Sequence, residues 1–147
     1  MEQNSTSYLQ RISHILLLNG WFLDNPGLYS GKMGLALFFF RYARHTQCEL
    51  YSEYGFELIE KIQNSIHQET PINYKQGIAG IGAAIEYLVQ KNYIKTCTDE
   101  TLEEFDNRLL SIRNLPHLSF EDIISIAYYA VWRFYGSNSK KELPSYF

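Results

Sequence analysis

The chain has 147 residues, 46% of them hydrophobic and 16% aromatic, and a formal net charge of −3. A chain of this length buries roughly 70% of the surface its unfolded form exposes, so a single folded domain over 1–147 is expected and disorder is excluded. The weak negative charge sets aside nucleic acid and anionic membranes as partners, and no apolar run nears the ~18 residues of a membrane span.

The start, "MEQNSTSYLQ", lacks the basic segment of a signal peptide, so a cytoplasmic location is expected. Apolar residues at Tyr8, Leu9, Ile12, Ile15 and Leu16 recur at helical spacing and predict a first helix over 7–18. A second helix is predicted over 31–45, in "GLYSGKMGLALFFF". A third covers 47–67. There, Thr46 with Glu49 fits a capping box, and Tyr51, Tyr54, Gly55, Leu58, Ile62 and Ile66 form one stripe opposite Glu53, Glu57, Glu60 and Lys61.

The fourth helix is expected over 78–91 and opens on "GIAGIGAAIEYL". The fifth, over 99–113, carries Asp99, Glu100, Glu103 and Glu104 in its first turns, where negative charge suits the helix dipole. Leu102, Phe105, Leu109 and Ile112 make its narrow apolar seam. The sixth follows Ser119, an N-cap with Asp122 three residues on, and is expected to run to 135 and stop before Gly136. Nothing alternates as a strand would.

These helices are of two kinds. The third and fifth are half polar. The second, fourth and sixth are apolar nearly all round, which predicts burial on every side. Forty-six residues separate Gly31 from Gly77 and forty-three more reach Phe120, so two helices recur with a period in the forties. The fold class is therefore all-α, built of α/α helical-hairpin repeats with apolar helices inside and amphipathic ones outside. Gly31 and Gly34, then Gly77, Gly80 and Gly82, open the inner helices. Each glycine costs about 1 kcal/mol against alanine, so a packing role at the mouth of the inner layer is expected to offset it. The third repeat is degenerate, with Phe120, Ile123 and Ser125 in place of glycines.

The segments "GLYSGKMGLALFFFRYAR", "INYKQGIAGIGAAIEYLVQKNYI" and "TDETLEEFDNRL" resemble the lanthionine synthetase C-like family over residues 20–113. The first two are similar to its inner-helix G-x-x-G motifs. The resemblance implies an α/α toroid of seven inner and seven outer helices, of which this chain looks like the first three repeats. It also implies cyclisation of modified peptides, in which a substrate cysteine thiol adds to a dehydroalanine or dehydrobutyrine. In the family's catalytic members a zinc ion held by a cysteine and a Cys-His pair in later repeats activates that thiol. No Cys-His dipeptide occurs here, so no catalytic residue carries over, and no metal or other cofactor is expected.

The remaining candidates are weighed from the residues. His45 and Cys48 stand at a helix junction and are not expected to share a helix, while a zinc site needs three or four ligands. His14, His67 and His117 are expected on surfaces or at helix ends. Lys32 and Lys75 lie at the two glycine motifs and either make an anion-attracting mouth or are solvated charges. Tyr29 and Tyr74 precede the same motifs and either line a peptide surface or pack. Glu86 is the one acid in an apolar stretch, with Arg41, Arg133 or the ring's edge as its alternatives. The candidate ligand surface is thus Tyr29, Gly31, Lys32, Gly34, Tyr74, Lys75, Gly77 and Gly80.

Three functions follow: a non-catalytic module binding a peptide or protein in peptide modification, the N-terminal part of a split or truncated cyclase, or a small-molecule pocket. Three helix pairs cannot close a ring built for seven. The apolar sixth helix is therefore expected to expose a flank at Ile124, Tyr128, Trp132 and Tyr135. Its cover would be a second copy, another chain, or the tail "SNSKKELPSYF".

Overall fold

The computed structural model describes the backbone of residues 2–110 and 117–141, and the side chains of 7–110 and 117–136. Every regular element among the described residues is helical: α1 (Glu2–Asn19), a single 3-10 turn (Gly20–Phe22), α2 (Lys32–Thr46), α3 (Glu49–Ser65), α4 (Ile78–Gln90), α5 (Thr98–Thr101), α6 (Glu103–Leu110) and α7 (Phe120–Lys141). None of them is long and apolar enough to cross a membrane. The architecture is an α/α helical repeat, as expected.

The core forms where the inner helices α2 and α4 meet the apolar stripes of α3, α6 and α7. Met33, Phe39 and Phe40 of α2 lie against Leu58 and Ile62 of α3, and Ile78, Ile81 and Leu88 of α4 pack with Leu102, Phe105, Leu109 and Tyr129. The stripe expected on α3 holds: Gly55, Leu58 and Ile62 are buried. Gly55 lies flat against the Phe40 ring and lets the two helices approach. On α4, every residue from Ile78 to Glu86 is buried.

Four local expectations are corrected. Thr46 caps nothing: it ends α2 and its Oγ1 donates to the Tyr42 carbonyl at 2.9 Å, while Cys48 precedes α3 without a side-chain cap. The chain turns there through Gln47, whose φ of 56° is left-handed. The fifth helix is split at Leu102, although the bonds Leu102 N–H to Thr98 O and Asp106 N–H to Leu102 O bridge the break. Its expected end at 111–113 lies outside the described residues. The sixth helix does not stop at Gly136 but continues to Lys141. Nor is it buried all round: Ser125, Tyr129 and Gly136 face the interior, whereas Ile123, Ile124, Tyr128, Val131 and Phe134 are exposed, because none of the described helices covers that face.

The expected cap of that helix is present. Ser119 Oγ accepts from the Asp122 N–H at 3.1 Å, and the Asp122 carboxylate accepts from the Ser119 N–H at 3.3 Å.

Candidate functional site

The two glycine motifs adopt one geometry, repeated at an offset of forty-six residues. Gly31 and Gly77 are the N-caps of α2 and α4, both extended, with φ of −130° and −109°. The first helical amide of each bonds back six residues beyond the cap: Lys32 N–H to Asn25 O and Ile78 N–H to Pro71 O, both at 2.9 Å. The entering loop then lays a carbonyl over the helix's first turn. Leu28 O sits on Gly34, and Tyr74 O sits on Gly80. A Cβ at either position would collide with backbone. The glycines therefore serve close approach, not a left-handed turn; the positive φ in the first loop belongs to Ser30.

The loops also stack on each other. Tyr29 N–H donates to Lys75 O at 2.8 Å, and Gly27 lies directly against the Gln76 backbone. This explains the third glycine of the opening motif. The third repeat joins the stack with side chains: Ser125, buried on α7, accepts from Tyr74 N–H at 2.9 Å, and the Tyr74 and Tyr128 rings lie 5.6 Å apart. Lys75 pairs with Glu121 at 3.3 Å, both well exposed, a contact worth little in solvent. Burial pushes the Tyr74 phenol up, against a smaller opposing effect of a hydrogen bond with Trp132 and with minor support from Tyr29 and Tyr128.

The structure thus brings Tyr29, Gly31, Gly34, Tyr74, Lys75, Gly77 and Gly80 to one place. Tyr29 is exposed, Lys32 half-buried, and the glycines are covered by their own loops. Loop carbonyls take the first amides of both inner helices, so those amides are not offered to an anion.

Beside the loops, α2 presents a ridge that sequence reasoning missed. Leu37 and Arg41, one turn apart, stand between two depressions. One, of ≈ 550 Å³, is walled by Leu9, Phe38, Tyr42 and His45. The other, of ≈ 260 Å³, is walled by Leu28, Tyr74, Ala83, Tyr87 and Trp132. Trp132 is half-buried, edge-on to Tyr87 at 5.9 Å, whereas Ile124, Tyr128 and Tyr135 are exposed on α7. The signal was present in "GLALFFFRYAR": Arg41 stands one turn beyond Leu37 on a helix otherwise read as wholly interior.

The family model of lanthionine synthetase C-like proteins matches residues 23–132. The chain belongs to that family. The match extends past residue 113 into α7. No curated protein and no solved structure matches the chain.

The two cysteines and His45 stand at separate helix ends. His45 lies in the last turn of α2, Cys48 precedes α3 and Cys97 precedes α5. Among the described residues, no three His, Cys, Asp or Glu side chains converge as a metal site would require. His14, His67 and His117 are exposed, as expected.

The buried polar chemistry of this family member lies elsewhere. Glu86, with a side chain 1% exposed, pairs with Arg133 at 2.9 Å, which decides between its alternatives. Arg133 also holds Asp106 at 2.7 Å and Asp99 at 3.2 Å, and Tyr129 Oη donates to Asp106 at 2.6 Å. Gly136 leaves the space that the Glu86 carboxylate fills, so the helix runs through a glycine that the sequence offered as a stop. Hydrogen bonding to Asp106, then to Glu86, drives the Arg133 pKa further up, and burial followed by the Asp106 bond does the same for Tyr129. The network ties α4, α6 and α7 together.

Proposed function

We propose that this lanthionine synthetase C-like chain is a non-catalytic binding module of peptide modification, and that it takes a peptide along the inner face of α2 beside the stacked glycine loops. The observation that carries this reading is the pair of aromatic-walled depressions on either side of Leu37 and Arg41, next to Tyr74. Grooves of this volume with few polar groups suit side-chain recognition. Tyr29 and Lys32 extend the surface at its loop end. The test is calorimetric titration with precursor peptides encoded beside the gene. Saturable binding is expected, and it should weaken on Leu37→Glu. If none of those peptides binds, the reading fails.

A second reading, the N-terminal part of a split cyclase, draws on α7. Its row of Ile123, Ile124, Val131 and Phe134 is exposed, and a contiguous apolar face is uncommon on a monomer. Repeat proteins cover such faces with the next repeat, supplied here by another chain or replaced by a second copy. We favour the second copy, because a two-fold pairing buries the same row twice. Residues 142–147, part of the other cover considered, lie outside the described residues. Light scattering should show a dimer at micromolar concentration that Val131→Glu converts to monomer. Val131 is a better probe than Trp132, which packs on Tyr87. A monodisperse wild-type monomer removes the pairing and returns weight to a chain that supplies the missing repeats.

A further inference from the structure

We propose that Arg41 recognises a carboxylate carried between apolar side chains of a peptide, one apolar side chain seating in each depression beside the ridge. This rests on the reading of the chain as a peptide-binding module and names the chemistry of its ligand.

Arg133 holds three carboxylates. Arg44 lies 3.5 Å over the Tyr93 ring and donates to the carbonyls of Lys91 and Asn92. Arg108 donates to the carbonyls of His67, Gln68 and Thr70. Arg41 has no ion pair among the described residues, yet it lines both depressions.

Charge in the surroundings points the same way. The chain holds 16 acidic residues, yet among the described residues none lines either depression. The outer-face depressions beside α3 differ: one includes Glu104 and another Glu60. An unpaired guanidinium between low-dielectric walls attracts an anion more strongly than one in open solvent. Its planar fork suits a carboxylate held by two parallel hydrogen bonds. A free inorganic anion would leave the aromatic walls wet, whereas a peptide that places apolar side chains to either side of its acid covers them. The carboxylate can come from an acidic side chain or from a peptide's C-terminus, and the chemistry is the same.

The experiment uses fluorescence anisotropy with the full chain and three labelled peptides. The first is capped at both ends and carries one glutamate between leucine and phenylalanine, flanked by serine and glycine for solubility. The second replaces that glutamate by glutamine. The third keeps the glutamine and ends in a free carboxylate directly after the apolar pair. The glutamate peptide should bind about tenfold or more tighter than its glutamine twin. That preference should vanish in Arg41→Met, fall partway in Arg41→Lys, and shrink at high salt. Arg41 is exposed, so both variants should unfold at the wild-type temperature.

If the third peptide matches the first, the site takes a terminal carboxylate as well as a side-chain one; if it matches the second, the site takes the side-chain carboxylate and not the terminal one. Equal affinity for glutamate and glutamine peptides, or a preference that survives Arg41→Met, overturns the inference while peptide binding itself stands. No binding by any of the three overturns both.

Discussion

Replacing Arg133 with methionine is expected to cost about 3–5 kcal/mol, a large part of the ~5–15 kcal/mol that holds a domain of this kind together. The cost comes from Glu86. Its side chain is 1% exposed and would stay buried without its cationic partner. Asp106 would retain the Tyr129 hydroxyl, and the exposed Asp99 would turn to water, so those two contribute less. The variant should show a urea midpoint far below wild type by far-UV circular dichroism, with α7 loosened first. The double variant Glu86→Met with Arg133→Met should recover much of the loss, since removing both ends of a buried pair leaves no orphan charge. A single variant within about 1 kcal/mol of wild type would mean that water already reaches Glu86.

Gly80→Ala is expected to destabilise by about 1–3 kcal/mol although helix propensity alone favours alanine by about 1 kcal/mol. The added methyl meets the Tyr74 carbonyl, a backbone atom held on the next residue by the stacked loop, and Leu28 Cβ at 3.2 Å. Neither can rotate away. Gly34→Ala should behave alike, because Leu28 O occupies the equivalent place. Gly55→Ala is the comparison: its new methyl meets the Phe40 ring at 3.0 to 3.2 Å, and a ring edge gives way more readily than backbone. The Gly80 and Gly34 variants should therefore lose several degrees of Tm more than the Gly55 variant. A neutral or stabilising Gly80→Ala would show that the loop does not need the contact.

Much of the fold was legible in the sequence because it depends on near neighbours along the chain. The forty-six-residue spacing of Gly31 and Gly77 proved to be a structural register, repeated in dihedrals and hydrogen bonds. The start of α4 was placed to the residue, and α2 and α3 to within two, because a glycine cap and an apolar period act locally. The Ser119–Asp122 cap was equally local. Thr46 shows the limit of such patterns. A Thr-x-x-Glu match says nothing about which way a hydroxyl turns, and the left-handed Gln47 sent it back to Tyr42.

What the chain's own order determined, then, is helices, their period and the family likeness. Tertiary structure alone decided which cation Glu86 would meet and why Gly136 sits inside a helix. It also decided that Arg41 would stand unpaired between two depressions, while three other arginines were taken by partners far along the chain. The physical reason is one of range. Helix periodicity and capping are written within a few residues. The partner of a buried charge lies forty-seven positions away, and the cover of a helix face depends on whether another helix comes to lie beside it.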